Sequence, residues 1–117
     1  MMKILTLKAC DACRKALGFL SDNGFEVENH DIRRDGLPES IVRHVVTTAG
    51  WEKAVNKRST TWRKLDDDQK TDLDNEKAID LILLHPTLMK RPVFLVDDEV
   101  LFGFDKVIQN DLAKRFG

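Results

Sequence analysis

The sequence predicts a single α/β domain built on a mixed four-stranded sheet, and three observations support this prediction. The chain has 117 residues, which is close to the roughly 150 residues expected for one domain. Its first thirty residues follow a strand, helix, strand pattern, and the residues from Val93 onward follow a strand, strand, helix pattern. With 42% hydrophobic and 33% charged residues, the composition is that of a folded globular protein. Helices packed on a mixed sheet would bury these elements.

The N-terminal elements are predicted from their hydrophobic spacing. Lys3–Leu7 is a short apolar run, which favours a strand buried on both faces. Asp11–Asp22 carries apolar residues on one helical stripe and is followed by the stop signal Asn23-Gly24. Phe25–Asn29 alternates apolar and acidic residues, as a strand does. Two strands joined by a helix usually form a parallel pair with a right-handed crossover.

The middle of the chain is predicted to be a helical block. A helix begins at Pro38, has valines at helical spacing and ends at Gly50. Another begins after the N-cap Asp74 and ends before Pro86. The segment 51–65 between them is amphipathic but irregular.

The C-terminal elements are a predicted hairpin and a helix. Val93–Val96 and Val100–Phe104 have strand composition and flank the acidic turn Asp97–Glu99. Lys106–Phe116 then has apolar residues along one side of a helix.

Charge and hydropathy exclude several classes of function. Lys and Arg number 19 against 20 Asp and Glu, a net charge of -1, so no net field attracts polyanions and direct nucleic-acid binding is not expected. The longest apolar run, Leu81–Leu84, is far shorter than the roughly 20 residues of a membrane span. With no export signal visible, we expect a cytoplasmic monomer that does not associate with membranes.

Cys10-Asp11-Ala12-Cys13 lies where the first strand is followed by the first helix. A thiolate there meets unpaired backbone N–H groups and the positive end of the helix dipole, which lower its pKa from about 8.5. Lys8 adds positive charge on the strand side. Cys10 is therefore a predicted nucleophile, and Cys13, one turn further, is a candidate to resolve a mixed disulfide at Cys10.

Two alternatives to redox chemistry apply to these cysteines. Buried free cysteine often acts as a small hydrophobic residue, and Cys13 fits that description. A C-x-x-C pair also supplies half of a tetrahedral zinc site, but His30, His44 and His85 show no paired spacing that would supply the other half. We therefore expect no metal.

Two further basic segments are candidates for the site. Pro92 opens a strand, where proline is tolerated for structural reasons alone. A cis Arg91-Pro92 bond would instead place Arg91 near Cys10, where its charge would lower the thiol pKa and could bind an anion. Arg58 lies in the cationic run 56–64, which could hold an anionic substrate or be a solvated loop.

Five collinear segments resemble the arsenate reductase (ArsC) and Spx family: LKACDACRKA, HDIRRDGLPES, GWEKAVNKRSTTWRKLDDDQK, LMKRPVF and LFGFD. Within the family, TTWRKL and KRP are most similar to the YffB-type branch. The resemblance runs almost from end to end and implies one ArsC-like domain with a thioredoxin-like fold. In it, residues 1–37 and 86–117 would form the thioredoxin-like core and residues 38–85 a helical insertion.

The resemblance also implies roles for individual residues. Cys10 matches the nucleophilic cysteine, Arg58 and Arg91 match two arginines of the anion or thiol site, and Pro92 matches a cis-proline. Lys8 matches a basic position beside the cysteine in the YffB-type branch. The implied activity is that of a thiol reductase with no bound cofactor, in which Cys10 attacks a disulfide or oxyanion substrate. Glutathione would be its co-substrate or glutaredoxin its partner.

Two departures from the family leave alternative functions open. Arsenate reductases carry a further arginine in a Gly-Arg-Pro context after the last strand, whereas here Gly103 is followed by Phe104 and Asp105. Arsenate is therefore less favoured as substrate, but arsenate reduction stays an open alternative. Cys13 resembles the second cysteine of Spx-type regulators, which use a C-x-x-C redox switch while bound to RNA polymerase. The alternative to a reductase is therefore a redox-sensing regulator that binds the polymerase alpha subunit. A third alternative is a thioredoxin fold with inert cysteines.

Overall fold

The computed structural model describes residues 2–116, which divide into two compact units. The first unit contains the residues up to Asp35 and those from Arg91 onward, and the second contains Gly36–Lys90. The second unit thus includes residues 36–37 and 86–90 in addition to the 38–85 range predicted for the insertion. None of the helices formed by residues 2–116 has the length and apolarity needed to cross a bilayer.

Four strands and seven α-helices follow one another along the described chain. In order, they are β1 (Met2–Thr6), α1 (Asp11–Asp22), β2 (Val27–Asp31), α2 (Glu39–Ala49), α3 (Trp51–Ala54), α4 (Thr60–Arg63), α5 (Asp67–Lys70), α6 (Asn75–Leu84), β3 (Val93–Val96), β4 (Glu99–Phe102) and α7 (Lys106–Phe116), with a short 3-10 helix at Pro86–Leu88.

The first unit is built on a mixed sheet with strand order β2-β1-β3-β4. β1 pairs in parallel with β2, from Met2 opposite Val27 to Thr6 opposite Asp31, and the other two pairings are antiparallel. The predicted α/β fold with a four-stranded mixed sheet is confirmed. Because β1 and β2 are parallel, the segments that follow Thr6 and Asp31 leave the sheet at the same edge.

Helix α1 is anchored on this sheet by its apolar face. Ala16 and Leu20 are fully buried in one cluster with Ile4 of β1, Phe94 of β3 and Leu112 of α7. Removing such apolar area from water is the main driving force for packing a helix on a sheet. The position of α1, and of the residue at its N-terminus, is therefore fixed by the core.

The structure corrects the predicted boundaries of the second strand, which begins at Val27 and not at Phe25. At the end of α1 the N–H of Gly24 donates to Ser21 O (3.1 Å) and that of Phe25 donates to Leu20 O (2.9 Å). Gly24 has a φ of +70°, the left-handed conformation this helix ending requires. Phe25 is therefore held by the helix end and cannot join the β1 ladder.

Smaller corrections apply to the other strands. The first strand spans Met2–Thr6, one residue earlier than predicted. In the hairpin, Glu99 pairs with Val96, so the turn consists of two residues and β4 begins at Glu99. β4 ends at Phe102, which leaves Gly103 and Phe104 in the loop before α7.

The second unit packs α2 against α6. Their buried residues form its apolar core: Val42, Val45, Val46, Ala78, Ile79, Leu81 and Ile82. The predicted ends of both helices are confirmed at Gly50, the C-cap of α2, and at Asp74, whose side chain accepts the N–H of Lys77 at 2.8 Å. The segment predicted as irregular contains the short helices α3 and α4.

Candidate redox site

Cys10 is the N-cap residue of α1. Its N–H donates to Leu7 O (2.9 Å), which closes the turn after β1, and its carbonyl accepts the N–H of Arg14 (3.1 Å). Its backbone is extended (φ -90°, ψ 118°) and its Sγ accepts the N–H of Cys13 at 3.4 Å. The sulfur thus occupies the position where a serine or aspartate oxygen usually caps a helix, next to the positive end of the dipole.

The surroundings of Cys10 lower its pKa below the ordinary value of 9.0. Burial is the largest single influence and raises the pKa, but four others act against it: hydrogen bonds from the thiol and the backbone N–H of Cys13, and the charge and hydrogen bond of Arg91. Together they outweigh burial. Because the thiolate is the reactive form of cysteine, Cys10 has the electrostatic environment of a nucleophile.

Cys13 is affected in the opposite direction. It is 1% exposed, and burial, together with the hydrogen bond to Cys10 and the charge of Cys10, raises its pKa to about 12. The backbone of Leu7 and the charge of Arg91 oppose this increase only in part. At neutral pH Cys13 is therefore a thiol that donates to the Cys10 sulfur.

Arg91 and Pro92 lie at the start of β3. The peptide bond between them is cis, which confirms the geometry that the sequence comparison implied for Pro92. Pro92 is buried and its carbonyl accepts the N–H of Gly103 at 2.9 Å. Arg91 is half-buried and its side chain interacts with Cys10. The structure thus brings Cys10, Cys13 and Arg91 together.

Lys8 and Arg58 are both exposed. Lys8 is exposed in the turn between β1 and α1. Arg58 belongs to the second unit, where it is exposed and its backbone N–H donates to Asn56 Oδ1 at 3.0 Å. In the same cationic run, Lys57 lies over the rings of Trp51 (5.0 Å) and Trp62 (5.9 Å), so part of this run is engaged in cation-π contacts.

A groove beside the cysteines was not predicted from the sequence. Two overlapping cavities of about 500 and 490 Å³ share Leu7, Lys8, Arg14, Asp31 and Arg34 in their walls. The remaining walls are Ala9 and Arg33 in one cavity, and Thr6, Cys13, Leu17 and Asn29 in the other. We call these residues the basic groove. The available signal was topological: in parallel strands, residues that follow the two strand ends meet at one edge.

Other parts of the described chain offer less evidence of a functional site. A cavity of about 570 Å³ lies within the second unit and is lined by threonines, Lys64, Leu65, Gln69 and His85, without a cysteine. Among residues 2–116, no three His, Cys, Asp or Glu side chains are grouped to hold a metal ion.

The strand order and the position of Cys10 define a thioredoxin-like α/β protein, and comparisons with known proteins identify the family. The sequence pattern of the ArsC family matches residues 5–108. The chain therefore belongs to the ArsC family.

Two curated relatives differ in what their names say. An uncharacterized protein of Haemophilus influenzae is 42% identical over 106 residues, which cover 91% of this chain and 93% of that protein. The global transcriptional regulator Spx of Streptococcus pyogenes is 28% identical over 108 residues, which cover 91% of this chain and 80% of the regulator.

Two solved structures extend the comparison to the fold. A protein named YFFB superposes with a TM-score of 0.92 at 33% identity and covers 100% of both chains. An arsenate reductase (ArsC) related protein from Brucella melitensis gives a TM-score of 0.77 at 32% identity, with 97% of this chain and 94% of that chain covered.

Proposed function

We propose that the protein is a glutathione-linked thiol reductase in which Cys10 is the nucleophile. The observation that carries the proposal is the contrast within one helical turn: the surroundings lower the pKa of Cys10 and raise that of Cys13 to about 12. Cys10 is therefore activated as a nucleophile, whereas Cys13 retains its proton and donates a hydrogen bond to the Cys10 sulfur. Membership of the ArsC family supports this assignment.

The first step is attack of the Cys10 thiolate on one sulfur of a substrate disulfide. The new S–S bond forms as the substrate S–S bond breaks, and the departing thiolate takes a proton from solvent. Arg91 stabilises the thiolate before attack, since its charge and hydrogen bond both favour the ionised form. The product is a mixed disulfide at Cys10.

An external thiol is better placed than Cys13 to release this mixed disulfide. Once Cys10 is in a disulfide, its charge no longer raises the pKa of Cys13, but burial, the largest influence on Cys13, remains. Cys13 therefore supplies little thiolate at neutral pH. Glutathione would attack the substrate sulfur of the mixed disulfide and form a new disulfide with it. The bond to Cys10 breaks and Cys10 departs as thiolate, so the electrons balance because one disulfide replaces another.

Lys8 and Arg58 are proposed to bind anionic parts of the substrate, and Pro92 to contact it beside Cys10. Both cations are exposed and available to a ligand. A disulfide is favoured over arsenate because Phe104 stands where arsenate reductases carry an arginine.

The test is the intact mass of the reduced protein after incubation with oxidised glutathione at neutral pH. The reaction transfers one glutathione to Cys10 and releases one reduced glutathione. We expect a single adduct on the wild type and on Cys13→Ser, the matched control, and none on Cys10→Ser. No mass change in the wild type would contradict the proposal.

A second candidate is a redox-sensing regulator that binds the RNA polymerase alpha subunit. It is favoured by the 28% identity to Spx of Streptococcus pyogenes and by the C-x-x-C pair at α1. In the same mass experiment it predicts loss of two hydrogens, from an internal disulfide, without an adduct. Capture by the alpha subunit of one redox form only would support it, and no capture of either form would eliminate it.

A further inference from the structure

We infer that the cavity of about 570 Å³ in the second unit binds a small phosphate monoester through its phosphate group. We call it the threonine cavity, because Thr60, Thr61 and Thr87 lie in its walls. All of the wall residues belong to the second unit, so the inference goes beyond the proposed reductase and does not depend on Cys10. Neither the family match nor the names of the relatives assign a ligand to this cavity.

Hydrogen bonds between distant parts of the chain hold the walls of the threonine cavity in place. One wall is α4 with the residues after it, and the other is the turn that follows α6. The hydroxyl groups of Thr61 and Thr87 hydrogen-bond to each other at 2.6 Å. In the same two segments, the N–H of Asn56 donates to Leu88 O at 2.8 Å. Because the cavity is formed without a ligand, binding requires little ordering of the protein.

The polar groups of the walls are mainly hydrogen-bond donors. Lys64 contributes an ammonium group, and Thr60, four residues earlier and so on the same helical face, contributes a hydroxyl. His85 adds a ring N–H. None of the described wall residues is an aspartate or a glutamate. Within residues 2–116, Lys64 forms no ion pair, so its charge is available to an anion.

Gln69 presents its amide nitrogen as a further donor. Its Oε1 accepts the backbone N–H of Asp66 at 2.9 Å, in the turn that starts α5. The other end of the carboxamide is an NH₂ group with two N–H donors. Since the helix start engages the oxygen, the amide contributes donors to the wall without turning its negative end toward a bound anion.

A phosphate monoester matches this donor-rich wall in charge and in size. Its ionised oxygens accept hydrogen bonds and its charge is about -1.5 to -2 at neutral pH. Lysine, threonine and glutamine side chains are common phosphate ligands. The volume of about 570 Å³ lies within the range of small-molecule sites, roughly 300–1,000 Å³, and the buried Leu65 offers apolar contact to the organic part. Thr60 and Lys64 are exposed, so a dissolved ligand reaches the cavity.

The test is binding of glycerol 3-phosphate to the reduced full chain, followed by amide NMR shifts at slightly alkaline pH, where the phosphate is a dianion. We expect saturable shifts on residues 60–69 and 85–87. Glycerol, which lacks the charge, is expected to cause none. Acetate offers a carboxylate instead, and inorganic phosphate lacks the organic part, so each is expected to bind more weakly than the ester.

Variants of neighbouring cations separate a specific contact from general attraction. Lys64→Gln is expected to weaken binding about fivefold, the upper end for a partly exposed charge pair, and Lys64→Arg to retain most of the affinity. The matched control Arg63→Gln removes the adjacent exposed cation, which is not part of the wall. At physiological ionic strength its effect is expected to stay within about twofold, because salt screens charges that make no contact. Thr60→Val, which keeps the side-chain shape, is expected to weaken binding about threefold.

Four results would overturn the inference. They are no saturable shifts on the cavity walls, equal losses in Lys64→Gln and Arg63→Gln, binding of acetate or inorganic phosphate as tight as that of the ester, or shifts that centre on Cys10 and vanish in Arg91→Gln. The last result would place the anion at the redox site. The adduct experiment with oxidised glutathione reports separately on Cys10, so failure of the reductase and failure of the threonine cavity are distinguishable.

Discussion

Replacing Cys10 with serine and with alanine separates its structural role from its chemistry. Cys10 caps α1 through its sulfur, which accepts the Cys13 N–H at 3.4 Å. A serine hydroxyl at this position accepts the same N–H, whereas alanine leaves it without a side-chain partner. Substituting a good N-cap by alanine costs about 1 kcal/mol. Both variants are expected to lose the glutathione adduct, and the serine variant is expected to be the more stable by about that amount.

The difference is large enough to measure by thermal unfolding. Unfolding entropy is about 2.1 cal/mol/K per residue, so for 117 residues a change of about 1 kcal/mol moves the midpoint by about 4 °C. Circular dichroism under reducing conditions at fixed pH is sufficient. A midpoint for alanine equal to or above that for serine would refute the assignment of Cys10 as the cap.

The pH dependence of stability is expected to differ between the wild type and Cys10→Ser. The pKa of Cys10 in the folded state lies below the ordinary value of 9.0. At pH values between this lowered pKa and 9.0, the folded state has released a proton that the unfolded state retains. Stability of the wild type therefore rises with pH in that window. The pKa of Cys13 is raised to about 12, so stability falls between about 9 and 12. The rise below 9 should disappear in Cys10→Ser, and its persistence there would refute the lowered pKa.

Three further predictions follow from single residues. Arg91→Gln removes a charge and a hydrogen bond that favour the Cys10 thiolate, so the pH midpoint of Cys10 alkylation is expected to rise; an unchanged profile would exclude Arg91 from the site. Gly24→Ala imposes a φ of +70° on alanine and is expected to lower the free energy of unfolding by about 1 kcal/mol in urea titrations, whereas Gly18→Ala, in a helix with open space around its Cβ position, is expected to raise it by about as much. Asp31→Asn removes a carboxylate whose pKa backbone hydrogen bonds hold below 3.8; the stability it supplies is lost in the wild type as pH falls below that value, so the variant should show a shallower acid transition.

The elements that could be predicted from the sequence are those with local signals. Helix α1 was predicted at Asp11–Asp22 and found there, because its apolar stripe, its N-terminal cysteine and Asn23-Gly24 lie within one short segment. For the second strand, alternation alone predicts a start two residues too early, because it does not show that the Phe25 N–H donates to Leu20 O at the end of α1. Local patterns specify an element better than its ends.

The candidate site was only partly predictable for a related reason. The C-x-x-C motif at Cys10 can be recognised within four consecutive residues. The sequence predicts that Arg91 lies near Cys10 only on the condition that the Arg91-Pro92 bond is cis, and the structure has this cis bond. The basic groove required the strand pairing as well. Arg33 and Arg34 come beside Lys8 only because β2 pairs in parallel with β1, which the sequence suggests but whose register it does not specify.

The loop after β4 carries Phe104, a residue that concerns both the choice of substrate and the packing of the first unit. Phe104, at the position where arsenate reductases carry an arginine, packs edge-on against Phe19 of α1 with ring centroids 5.4 Å apart, and Phe19 also contacts Phe25 at 6.2 Å. Such aromatic pairs contribute about 0.5–1.5 kcal/mol beyond their buried area. An arsenate reductase would have an oxyanion-binding arginine at this position. Here Phe104 occupies it and stabilises the helix that carries Cys10. Among the described residues of this unit, Arg91 supplies the positive charge that acts directly on the Cys10 thiol.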